Sequence, residues 1–374
     1  MAGAALRGAR RLVVKIGSSL VVESGSGRLN REWLTALADD LARLAADGRD
    51  LLVVSSGAIA LGRAYLGLRP AQRQLDKLQA AAAAGQVLLA HAWQEVLGGR
   101  GLRTAQVLLT LEDTENRRRY LNARGTLETL LGLGVVPLIN ENDTVATQEI
   151  RYGDNDRLAA RVAEMTGSDC LVLLSDVDGL HAADPSAQPD APLIPVVAAI
   201  TPEIEAAAGA ARTEYGTGGM QTKLIAAKIC VAAGCGTIIT SGRALHPLAA
   251  LERGAAATWF VPRGTPLTAR KQWIAGSLEP RGRLQIDAGA ERALRQGRSL
   301  LPVGVTAVHG AFQRGDAVTV CDAAGRELAR GLAAYTSEEL QRIRGRRSDE
   351  IETLLGYRGR DEVIHRDNLV LLDG

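Results

Sequence analysis

Lysine is almost missing from this chain. Of its 44 basic residues, only Lys15, Lys77, Lys223, Lys228 and Lys271 are lysines. Where arginine serves nearly everywhere, a retained lysine points to a need for a compact ammonium rather than a wide planar fork. Lys77 and Lys271 read as chance retention on the surface, and Lys228 is open either way. Cysteine is scarce as well. Cys170, Cys230, Cys235 and Cys321 show no CxxC or CxxH spacing, which excludes a disulfide framework or a zinc pattern and leaves reduced core residues of a cytosolic protein. Apolar runs are short. None approaches the roughly 20 residues that span a bilayer, and Lys15 interrupts the run after the basic residues 1–11, so no signal peptide is expected. Charge of one sign is also lacking: a formal net charge of +2 predicts neither a nucleic-acid surface nor a membrane surface.

What is present is an ordinary globular balance, 46% hydrophobic and 23% charged over 374 residues, enough for two or three domains. Over the first 260 residues, short β-branched runs at 12–16, 51–54, 106–109, 135–139, 171–174 and 237–240 alternate with amphipathic stretches at 31–47, 75–97, 117–133 and 156–165. This alternation predicts an α/β fold, a mostly parallel sheet sandwiched by helices. Between 260 and 282, Pro262, Gly264, Pro266, Gly276, Pro280 and Gly282 break the pattern and read as a linker. Beyond it come short β segments at 284–286, 304–309, 317–321, 327–332 and 363–371, with one helical insert at 337–347. The expected organisation is residues 1–262 as the main domain, 263–280 as linker, 281–362 as a small β-rich domain and 363–374 as a terminal segment.

Polar residues collect where the predicted strands end, which is where ligands bind in open parallel sheets. Lys15 is embedded among Val13, Val14 and Ile16. Such a lysine either meets an anion or faces water from an edge strand. SSGA follows the second run, with Ser56 before a glycine. Asn140, Glu141, Asn142 and Asp143 follow the fourth, and Gly153, Asp154, Asn155 and Asp156 come ten residues on. One such amide and carboxylate cluster is ordinary turn chemistry; two flanking one helix suggest a site for an amino acid's ammonium and carboxylate. Ser175 and Asp176 end the fifth run. GTGGMQTK (216–223) then opens a helix, so its N–H groups and dipole suit an anion, with Lys223 one turn inside. It matches neither the P-loop nor the dinucleotide-binding pattern.

In order, VVKIGSSL, SSGAIALGR, INENDTVAT, GDNDRLAA, LLSDVDGLHAADP and GTGGMQTK resemble the amino acid kinase family. The likeness covers essentially the whole chain, because residues 281–362 resemble the PUA domain that some bacterial members carry. Ser18 and Ser175 stand where the family often has threonine. The resemblance implies the amino acid kinase fold and a cytoplasmic homo-oligomer, dimer or tetramer. It further implies transfer of the γ-phosphoryl group of ATP, with Mg²⁺, to the side-chain carboxylate of L-glutamate, the first step of proline biosynthesis, with proline as feedback inhibitor. Carried over residue by residue, Lys15 and Lys223 would contact the transferring phosphate, and Ser56, Asp143 and Asn155 would bind glutamate. Ser175, Asp176, Thr217, Gly218, Gly219, Met220, Gln221, Thr222 and Lys223 would bind ATP, joined by Lys15. No protein metal ligands are assigned. The chemistry agrees: phosphoryl transfer needs positioning and charge neutralisation, and a carboxylate acceptor with a pKa near 4 is already ionised, so no general base is required. A carboxylate such as Asp156 could orient both ammonium groups.

Two alternatives remain at this level. One is a sibling kinase acting on aspartate, acetylglutamate, carbamate or a nucleoside monophosphate, against which SSGAIALGR, GDNDRLAA and the C-terminal domain argue. The other is an RNA-binding protein built on that domain. Residues 281–374, however, hold 15 arginines against 14 acidic residues, with Phe312, Tyr335 and Tyr357 scattered among them, a poor stacking platform.

Overall fold

The computed structural model describes residues 1–374 other than 24, 70–73, 146–153, 186–187, 189, 210–218, 277–278 and 373–374. The chain divides into two compact units, Met1–Pro266 and Leu267–Gly374.

In the first unit, eight strands form one sheet: β1 (Arg11–Ile16), β2 (Asp50–Ser55), β3 (Arg103–Leu109), β4 (Val135–Glu141), β5 (Cys170–Ser175), β6 (Val196–Val197), β7 (Gly236–Ser241) and β8 (Ala257–Phe260). Their order across the sheet is β3-β4-β2-β1-β5-β7-β8-β6. The first six in that order are parallel, and β8 turns antiparallel to β7. The expected α/β sandwich is therefore present, and β1, not an edge strand, lies between β2 and β5. The short β6 and β8 escape the sequence reading because two and four residues carry no usable period.

Strand alternation sorts the two faces. Leu12, Val14 and Ile16 of β1 join the core under the helices Arg31–Ala46, Ala58–Tyr65 and Leu75–Gly98. Val13, with Leu52 and Val54 of β2 and Leu171 and Leu173 of β5, joins the core under Arg117–Gly132, Asp154–Thr166 and Met220–Ala232. Lys15 lies two residues beyond Val13 and so shares its face. That parity aims the lysine at the helices beginning with Asp154 and Met220, although the next residue outward, Ile16, packs on the opposite side.

On the other face, Ala58–Tyr65 crosses Leu75–Gly98 at Gly62 and Gly85. A Cβ on Gly62 would stand 1.7 Å from the Ala81 carbonyl oxygen, and one on Gly85 1.8 Å from that of Ala58. Only glycine allows this approach.

The second unit is a five-stranded sheet ordered β10-β9-β11-β12-β13, with β9 Gly282–Ile286, β10 Val305–His309, β11 Ala317–Cys321, β12 Glu327–Leu332 and β13 Leu369–Leu371. It buries its own core, including Leu284, Val318, Val320 and Tyr335. Two expectations change in detail. The stretch read as linker contains a helix, Pro266–Gly276, whose Ile274 is buried against Ala317 and Leu332; the helix starts on a proline, which the first turn tolerates because that N–H has no helical partner anyway. The segment read as one strand over 363–371 is strand only at Leu369–Leu371, since Arg366–Asn368 forms a 3₁₀ turn capped by His365.

Candidate active site

Asp156 is the centre of the constellation. Its side chain is fully buried, and it draws in two lysines far apart in sequence. Lys15 Nζ lies 2.5 Å from Oδ1, and Lys223 Nζ lies 3.2 Å from Oδ2. Thr222 adds a hydroxyl, donating to Oδ2 at 2.8 Å. Lys15 and Lys223 are only 6% and 4% exposed. The anion that the apolar setting of Lys15 demands is thus supplied first by the protein itself.

Within the triad two ammonium groups face one carboxylate, and Asp176 adds a further negative charge that acts on Lys223. Burial opposes ionisation of Asp156, but the two ammonium groups outweigh it and hold the carboxyl below its usual range. Lys223 moves the other way from a normal salt-bridged lysine: burial, with repulsion from Lys15, exceeds the pull of Asp156 and lowers its pKa. Repulsion between two buried ammonium groups of this kind is relieved by an incoming polyanion.

Beside this triad, Asn155 donates from Nδ2 to Ser56 Oγ at 2.8 Å and to Asn140 Oδ1 at 3.0 Å. Ser56 follows β2 and precedes Gly57, whose φ of 113° is a left-handed conformation that glycine adopts freely. Asp143 is buried two residues past the end of β4. On the other side of β1, Ser175 ends β5 and donates to Asp176 at 3.0 Å, and the charge of Asp176 reaches Lys223. Lys15, Ser56, Asp143, Ser175 and Asp176 therefore lie at or just past the carboxyl ends of β1, β2, β4 and β5, around the point where strand order departs from β1 in both directions.

Of the glycine-rich segment, residues 216–218 lie outside the described residues, so Thr217 and Gly218 have no structural account. Gly219 is the extended N-cap of Met220–Ala232, and Gln221 donates to the Gly209 carbonyl. Lys228 pairs with Glu205 at 2.5 Å and is half exposed; it is no part of the triad. His181, which falls inside LLSDVDGLHAADP, ties its own loop together through Asp178 and the Ala191 carbonyl. All four cysteines are buried and free.

Asn140, read from the sequence as one member of the strand-end amide cluster without a role of its own, donates to Gln86 Oε1 at 2.8 Å. Gln86 bore no sequence signal, being one polar residue in an alanine-rich helix. Among the described residues no helix is long and apolar enough to cross a membrane.

The sequence model of the amino acid kinase family matches residues 10–241, and that of the PUA domain residues 282–355. The chain belongs to the amino acid kinase family, and within it groups with the glutamate 5-kinases. It is 60% identical over 366 residues to the glutamate 5-kinase of Paramagnetospirillum magneticum, covering 98% of this chain and 99% of that protein. With the glutamate 5-kinase of Rhodospirillum rubrum it shares 59% over 359 residues, 96% of each chain. Among solved structures, carbamate kinase from Giardia lamblia bound to AMP-PNP aligns at a TM-score of 0.48 and 18% identity, over 68% of this chain and 99% of that one.

Proposed function

We infer that this protein transfers the γ-phosphoryl group of ATP to the side-chain carboxylate of L-glutamate, giving γ-glutamyl phosphate and ADP. The observation that carries the reading is Asp156, buried between Lys15 and Lys223. A side-chain oxygen of glutamate attacks the γ-phosphorus, the bond from phosphorus to the ADP oxygen breaks, and no proton need move, since the acceptor is ionised at neutral pH. Lys15 and Lys223 neutralise the charge spreading over the transferring oxygens. Asp156 holds both ammonium groups in place without itself touching the phosphoryl group. Ser56, Asp143 and Asn155 hold glutamate; Ser175, Asp176 and residues 217–223 hold the nucleotide.

Magnesium suits this site as a passenger of ATP. The carboxylate at its heart is committed to two lysines, and among the described residues no three acidic, histidine or cysteine side chains gather to hold a metal. Mg²⁺ commonly binds through substrate phosphates with one or two carboxylates, a part Asp176 can play; bound there, it shields the phosphate charge. Proline shares the α-carboxylate and cationic nitrogen of glutamate and competes for the same half of the pocket. Cytoplasmic location and a homo-oligomer complete the reading.

An acyl-phosphate trap tests it. With ATP, Mg²⁺ and hydroxylamine, L-glutamate yields the hydroxamate and a nucleoside monophosphate yields none. Higher hydroxamate formation with aspartate than with glutamate would overturn the substrate. Proline lowers the signal, less so as glutamate is raised; inhibition independent of glutamate would place proline elsewhere.

A further inference from the structure

The amides around Asn155 form a chain whose polarity is fixed at one end. The backbone N–H of Glu141 donates to Asn140 Oδ1 at 2.9 Å. A backbone N–H can only donate, so the oxygen of the Asn140 amide is placed without ambiguity. Its nitrogen must face the other way, and there it donates to Gln86 Oε1 at 2.8 Å. Asn140 Oδ1 also receives Asn155 Nδ2, whose second hydrogen goes to Ser56. Both donors of Asn155 are thereby used. Its Oδ1 is buried and has no partner among the described residues, and a buried acceptor left open invites a donor from a ligand.

We propose that Gln86, on the helix Leu75–Gly98 and outside every motif noted above, is a positioning residue for the substrate's ammonium group. Its carbonyl oxygen occupies the Asn140 amide nitrogen and, together with the Glu141 N–H on the amide oxygen, keeps the chain running in one direction. Asn155 then keeps its Oδ1 open as an acceptor, which calls for a hydrogen donor from the ligand. The α-ammonium of an amino acid meets that demand with charge as well as hydrogen. The proposal rests on the glutamate reading and adds a residue that holds the Asn140 amide, and through it Asn155, in the orientation the Glu141 N–H dictates.

Three variants separate polarity from bulk. Gln86→Glu keeps an acceptor toward Asn140, Gln86→Leu keeps bulk without one, and Gln86→Lys confronts a donor with a donor. Gln86→Leu and Gln86→Lys raise the KM for glutamate about tenfold, the scale of one net hydrogen bond, with kcat and the KM for ATP nearly unchanged. Gln86→Glu stays within about threefold of wild type by the same reasoning. A residue that merely fills space gives the opposite order, leucine tolerated and a half-buried carboxylate not. That order, or an unchanged KM in Gln86→Leu, overturns the proposal. Should Gln86→Leu not fold, Gln86→Met supplies the acceptor-free arm. Wild type is assayed first: if it ignores glutamate, the substrate reading alone fails, and the variants are compared on the acceptor it does use. An acceptor with no hydrogen donor at that end also overturns the proposal.

Discussion

At the scale of residues, the site is a problem in charge. Asp156 is ionised because two lysines hold it so, and Lys223 gives up its proton more readily than an ordinary lysine because it is buried beside Lys15. The sign of the pH dependence follows. A lysine with a lowered pKa deprotonates earlier as pH rises, so kcat/KM, which reports free enzyme, declines on the alkaline side below the usual lysine range near 10.5. Bound phosphate favours the ammonium form, so the corresponding decline in kcat falls at higher pH. Steady-state kinetics between about pH 7 and 11 check both limbs; coincident limbs would remove Lys223 from phosphate contact. Asp156 behaves oppositely in stability. Its carboxyl is depressed, so its contribution is full above the unfolded carboxylate value and is lost as pH falls through the lower folded one.

At the scale of elements, the period-two pattern of β1 does most to build the site. It sends Val14 and Ile16 to one core and Val13 and Lys15 to the other, where the helices Asp154–Thr166 and Met220–Ala232 bring Asp156 and Lys223. Most strand positions, though not the short β6 and β8, and the two lysines of the candidate site were legible because each rests on a local signal: a β-branched run, a strand-end polar cluster, a lysine where arginine is the rule. The Gln86–Asn140 bond was not, because it joins residues 54 positions apart through side chains that any helix or turn tolerates. The helix inside 263–280 was hidden by its prolines and glycines, and its burial of Ile274 is a tertiary fact. The crossing of Ala58–Tyr65 on Leu75–Gly98 gives a sharp test. Gly62→Ala or Gly85→Ala forces a methyl into a backbone carbonyl, and each costs about 3 kcal/mol, the upper part of the overpacking range. Urea unfolding measures it; a loss under about 0.5 kcal/mol, the ordinary surface level, would mean that the helices can part there freely.

At the scale of the whole molecule, the candidate site lies within Met1–Pro266 and the PUA domain within Leu267–Gly374. Each unit buries its own core, so a chain ending at Pro266 is expected to fold and phosphorylate glutamate. Folded but inactive protein, judged by circular dichroism beside the hydroxamate assay, would make the second unit part of catalysis. Two lysines on one buried aspartate form the proposed transfer centre. Turnover of Lys15→Arg and Lys223→Arg tests it most directly, with Lys77→Arg as control. Either site variant should lose at least about a hundredfold in kcat, the scale of one preorganised charge contact, since a planar fork cannot take the place of a compact ammonium within reach of Asp156. The control should match wild type. Near-normal turnover in folded Lys15→Arg or Lys223→Arg would contradict the account.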